Sequence, residues 1–212
     1  MRTPDRDRCR STFAAICAAL IITQIAVSSV SALSAGYQIF PNGTAYLASI
    51  EIEDASRYEF VDTGFLGEPV SLTVEEVRLT GNCSPCIFNI TGPSFTSNVR
   101  AMTFERGNYT VSYISPLRDN HLQASFKNPY HVNITLPGEF SVQNPLLASI
   151  SPGANLTRLA DNTTLIQWNR TTSVDLRFYD TNREALLYFF LQFMAILAVV
   201  MLLPFLITMR KK

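Results

Sequence analysis

The most specific chemical arrangement in this chain is Cys83-Ser84-Pro85-Cys86, preceded by Gly81-Asn82. A Cys-x-x-Cys pair can be a redox dithiol, half of a zinc site, or a disulfide that closes a turn. A redox pair needs its first thiol at a helix N-terminus, where the dipole lowers its pKa. Here Ile87-Phe88-Asn89-Ile90-Thr91 follows, which reads as a strand. Zinc needs four ligands, and only His121 and His131 remain as nitrogen donors, at unrelated spacing. Ser84-Pro85 suits a tight turn, because proline fixes φ at about −65°. The reading is a Cys83–Cys86 turn disulfide, with the dithiol and the metal site as alternatives.

Little else could carry catalysis. General acid–base work near neutral pH needs a histidine or a tuned carboxylate beside a partner group. His121 lies in Asp119-Asn120-His121 and His131 follows Tyr130, both within loop or strand signals. Glu75 and Glu76 are adjacent, so a regular strand would point them to opposite faces; only a bulge could bring them together. No Gly-x-Ser-x-Gly elbow, His-Glu-x-x-His helix, phosphate loop or dinucleotide fingerprint occurs. Asp180-x-Asn182-x-Glu184 alternates oxygen donors but lacks the glycine and length of a calcium loop, and reads as a solvated juxtamembrane stalk. No catalytic residue, cofactor or metal ligand is assigned, and the chain is read as a non-enzyme.

The elements that would position these residues are strands. Between Leu33 and Glu184, short alternating runs recur, separated by Gly, Pro and Asn. Tyr37–Phe40 and Ala45–Glu53 flank Pro41-Asn42-Gly43, a strong hairpin signal. Val99–Phe104 and Tyr109–Ile114 flank Arg106-Gly107-Asn108, a second hairpin candidate. Val70, Leu72 and Val74 alternate, then the phase flips to Val77 and Leu79 across Glu75-Glu76, as a β-bulge would require. Inward rows are Val132, Ile134 and Leu136, stopping at Pro137-Gly138; Ile166 and Trp168; and Val174, Leu176 and Phe178. The expected fold is an all-β, sandwich-like ectodomain of about eight to ten short antiparallel strands.

The two ends supply targeting. Arg2, Arg6, Arg8 and Arg10 precede an apolar stretch, Phe13–Val27, and small residues Ser28–Ala32. That is the order of a secretory signal, read as residues 1–32. Leu186–Ile207 carries no charge and only Gln192 as a polar side chain. As a helix it would span about 33 Å, enough for a hydrocarbon core of roughly 30 Å. The spacing predicts an ectodomain over 33–184, a transmembrane helix over 185–208 and a basic tail over 209–212. Arg210, Lys211 and Lys212 should stay cytoplasmic, and Phe178, Tyr179 and Tyr188 fall where an outer aromatic belt would lie. Gln192 and Pro204 could face a partner helix, since polar groups there seek hydrogen bonds.

Glycosylation sequons begin at Asn42, Asn82, Asn89, Asn108, Asn133, Asn155, Asn162 and Asn169. Asn42 and Asn108 fall in the expected turns. Asn89, Asn133 and Asn169 adjoin inward residues, so each should point outward. The ectodomain holds 10 Arg or Lys against 15 Asp or Glu, a net −5. That balance excludes nucleic acid, which needs a basic stripe.

Several phrases carry a resemblance: Gly107–Tyr113, Arg118-Asp119-Asn120-His121-Leu122, Asn128-Pro129-Tyr130, Asn144-Pro145-Leu146-Leu147, Gln167-Trp168-Asn169 and Leu176–Asp180. The chain resembles an uncharacterised archaeal envelope family, methanogen-type and classed only as a domain of unknown function, from about Gly36 to the C-terminus. The resemblance implies an archaeal cell surface and no activity. The functional reading is a single-pass, membrane-anchored surface protein, C-terminus inside, acting as a non-enzymatic binding or structural module of the envelope. Its partners would be membrane lipid around Leu186–Ile207 and an envelope or membrane protein. The alternatives are an accessory subunit of a membrane complex and a thiol–disulfide oxidoreductase using Cys83 and Cys86.

Overall fold

The structure, a computed structural model, describes residues 32–64, 68–83, 85–92 and 99–209. The expected signal segment, apart from Ala32, and the basic residues Arg210–Lys212 lie outside the described residues. The first hairpin forms where the sequence places it. Strands β1 (Leu33–Ile39) and β2 (Ala45–Thr63) are joined through Pro41-Asn42-Gly43, with Phe40 N donating to Ala45 O at 3.0 Å. Gly43 sits at φ 67°, a left-handed turn conformation that costs glycine little. There follow β3 (Pro69–Ser71), β4 (Glu75–Gly81), β5 (Phe88–Thr91), β6 (Arg100–Pro116) and β7 (His121–Leu136). The chain continues through β8 (Phe140–Ser141), β9 (Ser149–Ile150), β10 (Ala154–Arg158), β11 (Thr164–Arg177) and β12 (Tyr179–Asp180) into helix α1 (Thr181–Met209).

Ten strands build one mixed sheet with the central order β10-β11-β7-β1-β2-β6-β4; β3, β5 and β9 attach to β2, β6 and β11. A separate two-stranded ribbon joins β12 to β8. The β-rich domain and apolar helix are as expected, but two features differ. Strands β1 and β7 run parallel, with Ala35 opposite Val132 and Tyr37 opposite Ile134. Alternation along a strand encodes which face is buried, not the direction of a neighbour far away in sequence. The second expected hairpin is absent: β6 runs unbroken through Arg106-Gly107-Asn108. Two register slips take its place: one extra residue on β2 between Ile52 and Ala55, where Asp54 adopts φ 49°, and two extra residues on β6 between Gly107, opposite Ala55, and Thr103, opposite Arg57. The Arg106 guanidinium grips the Asp54 carboxylate at 2.6 and 2.5 Å, and Asn108 Oδ1 accepts from Asp54 N at 2.8 Å.

These bulges fold one sheet into two facing arms. At about 3.3 Å per residue, a straight β2 would separate Tyr46 from Asp62 by roughly 53 Å. Both instead line one cavity. Phe60 pairs with Arg100 at one end of β6, yet its ring lies 5.2 Å edge-on from Tyr113 near the other end. A matching irregularity between Trp168 and Ser173, with Arg170 at φ 57°, interrupts the β11–β7 register. The bulge expected across Glu75-Glu76 is present: the β4–β6 register slips between Glu75 and Arg78, and Glu76 has φ 48°.

Between the arms lies the core. The inward rows expected from alternation are all buried: Val132, Ile134, Leu136, Ile166, Trp168, Val174, Leu176 and Phe178. Completely burying each such side chain contributes about 1.5–3 kcal/mol. Two expectations at the junction are corrected. Phe178 and Tyr179 are core residues, each 1 % exposed, and do not form an aromatic belt. Phe178 packs edge-on against Phe140 at 5.0 Å, which draws both into the β8–β12 clasp. Asp180-Thr181-Asn182 is solvated as expected, with Thr181 and Asn182 exposed, but it is a helix cap and first turn and not a separate stalk. Asp180 Oδ1 accepts from Asn182 N at 2.8 Å and caps a helix that already begins at Thr181, four residues before the expected start of the span. From Thr181 to Leu202 this helix is long and apolar enough to cross a membrane, and none of that stretch is buried within the protein.

Candidate ligand-binding site

The bent strands bring tyrosines from four elements to one place. Tyr37 on β1, Tyr46 and Tyr58 on β2, Tyr113 on β6 and Tyr130 on β7 line a cavity of about 340 Å³ between the arms. Each occupies a strand position that alternation turns inward; Tyr37, Tyr46, Tyr113 and Tyr130 are at most 7 % exposed. The rings are tilted rather than stacked. Tyr37 and Tyr46 meet at 59° with centroids 5.8 Å apart, and Tyr58 and Tyr113 at 44° and 6.3 Å.

Four of their hydroxyls have separate partners. Tyr130 donates to Glu51 O at 2.8 Å. The Tyr58 and Tyr113 hydroxyls face each other, and that of Tyr46 lies beside Ser115. Ser115 is itself buried and donates to Thr73 O at 2.9 Å. Burial raises all five phenols above their ordinary pKa, because the ionised form would lose its hydration. Tyr46 is pushed up to about 12, burial being opposed by Ser115 and reinforced by Asp62. Asp62 also acts on Tyr37, after burial and the neighbouring tyrosines. The cavity therefore presents neutral phenols, with a carboxylate within electrostatic reach of two of them. Glu53, Glu59, Arg57 and Lys127 stand on its lining, and Arg57 pairs with Glu59 at 3.0 Å.

A second cavity of about 400 Å³ shares Tyr46, Asp62, Leu72 and Gln123 with the first. Its far side carries Arg118, Arg177 and His121. His121 Nε2 lies 3.1 Å from Asp175 Oδ2, the arrangement that fixes an imidazole's orientation. No nucleophilic side chain hydrogen-bonds to His121 among the described residues.

The residues singled out in the sequence lie elsewhere. Cys83 and Cys86 are disulfide-bonded, with Cα atoms 4.9 Å apart. The next element is strand β5, not a helix, so the dipole that activates a redox cysteine is missing at this pair. Among the described residues, no group of three His, Cys, Asp or Glu is placed to hold a metal ion. His131 is half-buried on β7, and Glu75 and Glu76 are exposed and line neither cavity. Seven of the eight sequon asparagines are exposed; Asn133 is half-buried, its Oδ1 accepting from Gln167 Nε2 at 3.0 Å. Gln192 is exposed on α1.

Sequence reasoning missed the tyrosine cavity. The available signal was tyrosine, rather than phenylalanine or leucine, at five inward strand positions. A buried hydroxyl needs a partner or an opening, so five of them mark a polar place inside a core.

A family model described as a family of unknown function (DUF5803) matches residues 35–211, from the first buried residue of β1 through the apolar helix. No protein of curated function matches the chain.

Proposed function

The chain belongs to the DUF5803 family of unknown function, and we propose that it is a single-pass membrane protein whose β domain lies outside the cytoplasm as a non-enzymatic binding module of the envelope. The tyrosine-lined cavity is the observation that carries the binding role. Its volume is within the range of small-molecule sites, roughly 300–1,000 Å³. Its phenols are held neutral, which suits holding a ligand and gives no activated nucleophile. The apolar, unburied face of α1 supports anchoring, and the basic residues after it support a cytoplasmic C-terminus. An archaeal surface is the setting that the resemblance implies.

Protease treatment of intact cells or spheroplasts tests the sidedness. Digestion of the β domain, leaving a short anchored fragment, is expected. Protection of the domain in intact cells, with digestion only after lysis, would reverse the orientation.

One observation favours a second reading, an accessory subunit of a membrane complex: Gln192 lies unburied in the otherwise apolar Leu186–Ile207 stretch of α1. Extraction in a mild detergent and identification of proteins lost on Gln192→Leu substitution separates a subunit from a lone module.

A further inference from the structure

We propose that two copies of this chain pair through their membrane helices, with Gln192 of one copy hydrogen-bonded to Gln192 of the other across a parallel seam. The inference rests on reading α1 as a membrane span, and it deepens the subunit reading by naming the partner. Three observations point to a second copy.

The first is an unmet polar group. Gln192 lies six residues inside the uncharged run that begins at Leu186, about 9 Å along the helix axis. Its carboxamide carries two N–H donors and an acceptor oxygen, and hydrocarbon offers a partner to none of them. No group among the described residues hydrogen-bonds to that side chain. A carboxamide is its own complement. Across a two-fold axis, each oxygen accepts from the other's N–H.

The second is the side of the helix on which Gln192 lies. At about 100° per residue, Glu184 and Leu187 stand roughly 80° and 140° around the helix from it. Among residues 181–202 only these two are half-buried, and Glu184 accepts from Tyr179 of the domain at 3.2 Å. The side bearing Gln192 is open: Ala185, Tyr188, Ala195, Val199 and Leu202 are all exposed. With Gln192 they follow alternating steps of three and four residues, the seven-residue repeat of a left-handed helix pair. Ala185 and Ala195 flank the carboxamide in that row, and such short side chains let two backbones approach closely. Met194 and Met201 lie on the opposite side, about 160–180° away.

The third is depth. The helix starts at Thr181 directly from the β8–β12 clasp, with Asp180 capping it. From Thr181 to Gln192 is eleven residues, about 16 Å, in every copy. A second copy in the same membrane therefore brings its Gln192 to the same height without adjustment. A single polar residue in such a seam also fixes the register of the pair.

The test introduces single cysteines into the full chain in its native membranes and oxidises them. Ala195→Cys and Val199→Cys, on the seam, should give cross-linked dimers at least about tenfold more abundant than Met194→Cys and Met201→Cys, behind it. The chain without an introduced cysteine sets the background. Added to the Val199→Cys chain, Gln192→Leu should cut the cross-linked yield by about fivefold or more, and Gln192→Asn, which keeps a carboxamide, should retain it. Equal yields from the two faces, or none above background, overturn the pairing. Loss of a different co-purifying protein on Gln192→Leu, with no cross-linked dimer, overturns the second copy while leaving the subunit reading. Release of the chain from membranes by alkaline carbonate overturns the span on which both rest. The two-face comparison leaves Gln192 untouched, so it decides the matter even where a Gln192 variant fails to fold.

Discussion

The Tyr179 hydroxyl donates to the Glu184 carboxylate at 3.2 Å, across the junction between the last strand and the apolar helix. The same oxygen accepts from Asn144 N at 3.2 Å, and Thr181 N donates to Glu139 O at 3.3 Å. One buried phenol thus joins the base of the helix to the loop after β8. The consequence is mechanical: the helix start is fastened to the domain core and does not hang from a stalk.

Replacing Tyr179 should expose how much this fastening contributes. Tyr179→Phe keeps the ring but removes a bond to a carboxylate and strands the Asn144 amide, at a cost of about 1–3 kcal/mol. Tyr179→Ala adds a cavity, for a total of about 3–5 kcal/mol. Denaturation in detergent, followed through Trp168 fluorescence, should rank wild type above Phe above Ala. A Phe variant as stable as the wild type would show that the hydroxyl adds nothing net.

The tyrosine cavity should make the domain sensitive to alkali. Unfolded tyrosine ionises at about pH 10. In the folded domain, burial raises Tyr37, Tyr58, Tyr113 and Tyr130 above that value, and Tyr46 to about 12. Above pH ~10 the folded state therefore binds more protons than the unfolded one. Its stability is fully present below that pH and falls as pH rises, by up to about 1.4 kcal/mol per pH unit for each fully buried phenol. Tyrosinate absorbance should appear together with loss of the β circular-dichroism signal. Ionisation of all tyrosines near pH 10 with the domain still folded would contradict this.

Sequon use should follow exposure. Asn42, Asn155 and Asn169 are exposed, as an attached glycan requires. Asn133 is half-buried and already accepts a hydrogen bond from Gln167. Glycopeptide mass spectrometry should find several exposed sites occupied and Asn133 bare. A glycan at Asn133 would mean that modification precedes pairing of β7 with β11.

The Cys83–Cys86 bond should be structural and modest. It closes a very small loop, so its stabilisation belongs at or below the low end of the usual ~2–4 kcal/mol. Thiol labelling of native protein should find neither cysteine free. A Cys83→Ser, Cys86→Ser double variant should still fold, with disulfide-exchange activity no different from wild type. Exchange turnover that vanishes in the variant would restore the oxidoreductase reading.

Two kinds of information about this protein separate cleanly. Local periodicity determined the inward rows, such as Val132-Ile134-Leu136, because a two-residue repeat fixes which side chains share a face. It also determined the Asn42-Gly43 turn, the slip at Glu75-Glu76 and the membrane-length helix, each of which depends only on neighbouring residues. The turn at Arg106-Gly107-Asn108 had the same local signal as Asn42-Gly43, yet the strand runs on there. Whether a glycine bends back or passes through is settled by what lies opposite, here the Asp54 bulge fifty-two residues away from Arg106. The parallel β1–β7 pair and the tyrosine cavity belong to that second class. Both arise from contacts between residues far apart in the chain, and a strand's own alternation carries no record of which distant strand will complete its wall.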